Sequence, residues 1–351
     1  MTSDRPLQRP PEFYRSLPKV DLHRHLEGSL RFETLHEVAR NLELELPPTT
    51  QLRSLVQIQE NEPLTFENFL SKFSTLRLFY RSPEIIRRVT QEAIADAAKD
   101  NVYYLELRFT PVALSKAQGF PLGRVMDWVI DATREAEKMY GITTRLIVSV
   151  NRHEGSALAA QVIYLAEERM GAGIVGIDLA GYEPGFPVGP FAPVFRSAQE
   201  KGLHITAHAG EWDSGKNVFS TIDELGAERI GHGIRVIESP EALELACKRA
   251  TTFEVCMTSN YQSGAISDLK NHPLLEMLNQ GLNVTINTDD PSISQITLSD
   301  EYRLACETLG LSLETLRSRV RAAAQAAFLP DSERLELAQR IDQGFEDLVT
   351  G

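Results

Sequence analysis

Residues 143–208 read TTRLIVSVNRHEGSALAAQVIYLAEERMGAGIVGIDLAGYEPGFPVGPFAPVFRSAQEKGLHITAH, and this stretch decides the fold. A β-rich run, Thr143 to Val150, precedes a helical pattern from Ser156 to Met170. A second apolar run, Ile174 to Ala180, precedes a second helix, Phe191 to Lys201, ended by Gly202; a third strand runs from His204 to His208. Strand and helix in strict alternation predict parallel strands joined by helical crossovers, because a tight hairpin cannot connect parallel neighbours.

The same alternation extends in both directions. Upstream, Ser82 caps a helix whose first residue is Pro83, and Ile85, Ile86, Val89, Ala93 and Ala97 carry its apolar stripe to Lys99. A strand from Val102 to Thr110 and a helix from Leu122 to Tyr140, stopped by Gly141, follow. Earlier still come a strand ending at His23-Arg24-His25, a helix from Arg31 to Leu42, a polar, Pro-containing segment at 47–63, and a Leu- and Phe-dense segment from Leu64 to Tyr80. Downstream, helix Val218–Leu225, strand Arg229–Gly231, helix Pro240–Arg249, strand Thr252–Val255, helix Pro273–Asn279 and strand Asn283–Asn287 lead to a helical region, Leu298 to Leu348. Eight strands, each followed by helix, predict a closed (β/α)8 TIM barrel with additional helices rather than an open doubly wound sheet. No Gly-rich phosphate loop follows any strand. One domain is expected over 17–351, with 1–16 as a loose Pro-rich N-terminal arm.

Composition narrows the function. The formal charge of −13 and the lack of a basic stripe argue against nucleic acid and anionic membranes, leaving a small molecule as the partner; oligomeric state is not readable. Three well-separated cysteines suit a reducing compartment and exclude a thiolate metal site, and the start of the chain lacks the apolar core of a secretion signal, so the cytoplasm is expected.

Barrels concentrate chemistry at the C-terminal ends of their strands. Those ends carry His23 and His25 on the first, Gly181 past the fourth, His208 and Glu211 on the fifth, His232 on the sixth, and Asp289-Asp290 on the eighth. In a strand, residues two apart share a face, so His23 and His25 can reach one point while Arg24 turns away. Three imidazoles and a carboxylate from the first, fifth and eighth strands of a closing barrel converge, and such a donor set suits one Zn²⁺ per chain at about 2.0–2.2 Å with a position left for water.

Six motifs, in order, then carry a resemblance: His23-x-His25-Leu26-Glu27-Gly28-Ser29, Asp178-Leu179-Ala180-Gly181-x-Glu183, His208-Ala209-Gly210-Glu211, Arg229-Ile230-Gly231-His232-Gly233, Glu254-x-Cys256-x-x-Ser259-Asn260 and Asn287-Thr288-Asp289-Asp290-Pro291. The chain resembles the adenosine deaminase family of zinc-dependent amidohydrolase barrels from about Leu17 to the C-terminal helices. The resemblance implies His23, His25, His208 and Asp289 as zinc ligands. It further implies Glu211 at the purine N1, His232 beside the catalytic water, and Gly181 and Asp290 on the purine ring. Glu211, His232 and Asp289 are the expected catalytic groups, and His25, Glu27, Gly181 and Asp290 the substrate-binding ones. Leu64 to Phe73 corresponds by position to the family's hydrophobic gate.

The implied reaction is hydrolytic deamination of adenosine or 2′-deoxyadenosine in purine salvage. Glu27 stands where adenosine deaminases usually carry Asp, which keeps free adenine and modified 6-aminopurine nucleosides open as substrates; Gly231 stands where adenine-specific relatives tend to carry Asp. The fourth strand has no Lys to bridge two metals, and the Pro-Cys-x-x-Cys signature of Cys-ligated nucleobase deaminases does not occur. A non-catalytic purine-binding protein is the alternative of a different class.

Overall fold

The computed structural model describes residues 9–41 and 47–350. Among these, eight strands form one parallel sheet in sequential order: β1 Lys19–His25, β2 Val102–Phe109, β3 Thr143–Asn151, β4 Ile174–Ala180, β5 His204–Ala209, β6 Arg229–His232, β7 Thr252–Val255 and β8 Asn283–Ile286. Each consecutive pair is parallel. An isolated parallel bridge, Arg24 to Asp289, joins the end of β1 to the segment after β8. There the His25 N–H donates to the Asp289 carbonyl and the Asp289 N–H to the His23 carbonyl, both at 2.8 Å. The sheet is thereby a barrel, as expected.

Both faces of the strands are covered, so nearly every strand residue is buried and burial does not alternate along the strands. The barrel interior is not wholly apolar. Arg108, Arg229, Glu106, Glu254 and Asp178 are fully buried there. Arg108 donates to Glu254 at 2.7 Å and to the Leu22 carbonyl at 2.8 Å; Arg229 pairs with Glu254 at 2.6 Å and with Glu106. Buried charge on this scale is tolerated only when each ion is paired and hydrogen-bonded.

Three expectations are corrected. Residues 1–8 of the N-terminal arm lie outside the described residues, but Pro11–Ser16 is a helix with Tyr14 buried, because Phe13 and Tyr14 give it an apolar side to set on the domain. That part is not loose. The polar segment at 47–63 contains a helix, Thr49–Val56, whose Leu52 and Val56 are one helical turn apart and both buried. The expected helix Val218–Leu225 begins earlier, at Gly215, and its last turn, Thr221–Leu225, is widened into a π-helix. The expected helix Arg31–Leu42 is observed over Phe32–Asn41, and Leu42 lies outside the described residues.

Candidate active site

The residues singled out at the strand ends meet at one mouth of the barrel. His23, His208, His232 and Asp289 each offer a donor atom, and these atoms lie within 4.8 Å of one another. His25 joins them: its Nε2 is 3.2 Å from His208 Nε2 and 3.3 Å from Asp289 Oδ1, which is also 3.3 Å from His23 Nε2. All five are expected site residues, and the fold brings all five together.

The rings are held by buried carboxylates. His23 Nδ1 donates to Glu254 Oε2 at 2.8 Å, and His208 Nδ1 donates to Asp178 Oδ1 at 3.0 Å. A carboxylate on Nδ1 fixes the proton there and leaves the Nε2 lone pair directed inward, an arrangement typical of metal-binding histidines. Both carboxylates remain charged: although burial favours the neutral acid, Arg108 and Arg229 hold Glu254 far below the carboxylate range, and His208 and Arg108 do the same for Asp178.

A divalent cation fits this group on two counts. The donor set is nitrogen and carboxylate oxygen without thiolate, and His23 Nε2 is buried with no hydrogen-bond partner. His232 and Asp289 also adopt left-handed backbone conformations, φ +60° and +67°, costly for residues with a Cβ and concentrated in proteins at functional sites.

Opposite the histidines lie three carboxyl groups whose surroundings favour the neutral acid. Glu211 is pushed well above the usual range by burial, then by Asp289 and Glu183. Asp290 is raised by burial and by Asp289, and burial lifts Glu27 to about 7. Glu211 Oε1 accepts from Ser263 Oγ at 3.2 Å and Asn260 Nδ2 at 3.3 Å, while Oε2 is 3.5 Å from His232 Nε2. Glu27 Oε1 accepts from the Thr110 N–H at 2.6 Å; Glu27 Oε2 and Asp290 Oδ1 are buried without partners. Protonated carboxyls with unsatisfied oxygens can donate to ring nitrogens or hydroxyls of a ligand.

The cleft between them is lined by Gly181, Tyr182, Trp212 and, from the helix Phe66–Leu76, Phe69, Leu70 and Phe73. The segment expected to border the cavity does so. Phe66 stacks on Tyr182, with centroids 4.5 Å apart at 17°. Gly181 has φ +87°, and a Cβ there would come within 3.1 Å of His153 Nδ1 and 3.2 Å of Asn151 Oδ1, so the floor of the cleft requires glycine.

Three acidic residues of the motifs act through the groups already named. Glu254 and Asp178 orient histidines. Glu183 accepts the N–H groups of Gly210 at 2.7 Å and Glu211 at 2.9 Å and so fixes the turn that presents Glu211. Arg108, Arg77, Asn151 and His153 were missed altogether. An Arg near the end of the β2 run Val102–Phe109, two residues after Glu106, is a signal that this strand faces carboxylates; nothing local marks the other three.

Against this geometry, the family model described as adenosine deaminase matches residues 18–344. The adenosine deaminase of Erwinia tasmaniensis is 38% identical over 328 residues, 93% of this chain and 98% of that protein. Among solved structures, the adenine deaminase of Arthrobacter aurescens superposes with a TM-score of 0.87 at 27% identity, covering 94% of this chain and 99% of that one. The N6-methyl-AMP deaminase of Arabidopsis thaliana gives 0.84 at 31%, covering 95% and 98%.

Proposed function

The chain belongs to the adenosine deaminase family and is a hydrolytic deaminase, and from that premise we propose that it converts adenosine and 2′-deoxyadenosine to their 6-oxo products and ammonia, using one Zn²⁺. The observation that carries this reading is the position of Glu211: a buried carboxyl in surroundings that favour the neutral acid, lining the same cleft as the converging His and Asp donors. His23, His25, His208 and Asp289 would hold the ion, which when bound supplies a nucleophile at neutral pH by lowering the pKa of water from about 15.7 to about 7.

The chain's own groups handle the ring. As water adds at C6, the C6–N1 π electrons move onto N1, and the Glu211 proton meets them there. Asp290, whose burial and neighbour Asp289 favour the neutral acid, donates to N7, and the glycine backbone at 181 lets the ring edge come close on the N3 side. Glu27 faces the sugar hydroxyl. Asp289, the carboxylate held charged at the site, takes the proton that the added water gives up and passes it to the exocyclic amine as the C6–N bond breaks, releasing ammonia; the proton of the remaining C6 hydroxyl returns to Glu211 as the 6-oxo group forms. Phe69, Leu70 and Phe73 keep bulk water from the cleft during this sequence.

A second reading, a 6-substituted adenine nucleotide, is favoured by one observation. Arg77 lines the cleft beside Glu27, which puts a guanidinium where a substrate phosphate could pair with it. Parallel assays of adenosine, 2′-deoxyadenosine, adenine, AMP and N6-methyl-AMP, read by the ultraviolet change, test the proposal. Turnover of adenosine above all others supports it; preference for a nucleotide or the free base replaces it. A zinc-loaded protein inert on every aminopurine would indicate a purine-binding role.

A further inference from the structure

The ring of His232 is fixed differently from those of His23 and His208. Its Nδ1 meets no carboxylate; it meets Asn260 Nδ2 at 3.0 Å. Which way hydrogen bonds run through this contact follows from a backbone group whose direction is beyond dispute. The Leu274 N–H donates to His272 Nδ1 at 3.0 Å, so that nitrogen carries a lone pair. His272 is buried, and desolvation lowers its pKa to about 3, so the ring is neutral and, with Nδ1 accepting, its one proton sits on Nε2. His272 Nε2 therefore donates to its neighbour 3.2 Å away, which must be the carbonyl oxygen of Asn260. The Asn260 amide is thereby oriented with Nδ2 toward His232 and Glu211, and an amide NH2 can only donate. His232 Nδ1 must accept, and the ring proton goes to Nε2.

We propose that Asn260 and His272 are positioning residues that fix the proton of His232 on Nε2, so that this ring offers an N–H donor, not a lone pair, to the reaction centre beside Glu211. Three buried rings thus carry two opposite tautomers. Where a carboxylate sits on Nδ1, as at His23 and His208, the inward nitrogen is bare and suited to a metal; where an amide sits on Nδ1, it is not. His232 is thereby set apart from the ligands it adjoins, although its distance alone would admit it to them. Its Nε2 lies 3.5 Å from Glu211 Oε2, beside the ligand residues, where an N–H stabilises the oxygen that adds to the ring, as a preorganised donor does. The placement of the proton follows from hydrogen bonds alone; its part in turnover rests on the deaminase reading above.

The test is long-range ¹H–¹⁵N spectroscopy of zinc-loaded and metal-free enzyme with ¹⁵N-labelled histidine, the His232 signals being identified by their loss in His232→Asn. The expected wild-type spectrum has a bare Nδ1 and a protonated Nε2 at His232. Asn260→Asp, which replaces the donor by a carboxylate, is expected to move the proton to Nδ1 and lower kcat about 10²-fold with KM changed only a few-fold. His272→Ala is expected to lower kcat in the same way, and His272→Gln, whose amide N–H can donate to Asn260, to restore most of it. A wild-type spectrum with the proton on Nδ1, or an Asn260→Asp enzyme with an unchanged His232 tautomer, overturns the proposal whether or not the variants are active. A correct tautomer in an enzyme inert on aminopurines would leave this proposal standing and remove the functional one.

Discussion

The Asp289 N–H donates to the His23 carbonyl at 2.8 Å, so the seam that closes the barrel and the candidate metal site are one piece of structure. The two residues also face each other through their side chains, His23 Nε2 lying 3.3 Å from Asp289 Oδ1. Bringing the site together and joining the first strand to the last therefore depend on the same contacts. A bound ion would pull across that seam, which couples metal affinity to stability.

Removal of metal should show this coupling directly. Dialysis against a chelator is expected to abolish deamination and lower the melting temperature, and added Zn²⁺ to restore both. Glu254→Gln, which leaves His23 without its charged acceptor, is expected to weaken zinc binding about 10- to 100-fold, read by competition with a chromogenic chelator. Unchanged affinity in that variant would show that Glu254 serves the ion network only.

Glu211→Gln keeps the shape of the side chain and removes its acidic proton. The expected outcome is a loss in kcat of about 10²- to 10⁴-fold with zinc content and melting temperature retained. Activity within a few-fold of wild type would remove Glu211 from the reaction.

Gly28 marks how closely the turn after β1, Glu27–Ser29, packs on the Asp290 segment. A Cβ built at Gly28 would lie 1.8 Å from Asp290 Oδ1. Gly28→Ala is therefore expected to displace the Asp290 carboxyl, raise KM for the purine and cost about 1–3 kcal/mol of stability from overpacking. Both effects are measurable on one preparation, by kinetics and by denaturant unfolding.

Arg77→Leu separates nucleoside from nucleotide. If a 5′-phosphate is the natural group, KM for AMP or N6-methyl-AMP should rise at least tenfold more than KM for adenosine, because a charged hydrogen bond is lost only in the first case. An equal change for both would show that Arg77 meets no phosphate.

His272 gives stability a pH dependence of defined sign. Burial lowers its pKa to about 3, so the folded chain holds it neutral while the unfolded chain takes up a proton as pH falls below about 6.5. Stability from this residue is full above pH 6.5 and is lost as pH drops from there toward 3, amounting to about 2 kcal/mol by pH 5. The difference between wild type and His272→Gln in urea unfolding at pH 7 and pH 5 isolates it. A difference that does not change with pH would mean that His272 is charged in the folded state.

Much of this protein is written locally. The caps at Ser82 and Gly141, the crossover pattern and the strand-end histidines are visible because each depends on residues a few positions apart: an N-cap accepts from the third residue on, as Ser82 does from the Ile85 N–H, and a strand sets His23 and His25 on one side by its two-residue repeat. The candidate donor residues were legible because chemistry restricts which side chains can hold a metal, and because barrels concentrate such groups at one end of their strands. The partners of those side chains were not legible. That Glu254 reaches His23 across 231 positions, that Glu183 holds the Glu211 turn, or that a Leu274 N–H determines the proton on His232 depends on distances only the closed barrel sets. The helix at Thr49–Val56 was missed for the same reason: its two buried residues form a weak stripe, which only a neighbouring surface makes into a face. Sequence determines which groups are present and their local spacing; burial and long-range hydrogen bonding, which decide charge and tautomer, exist only once the chain has closed on itself.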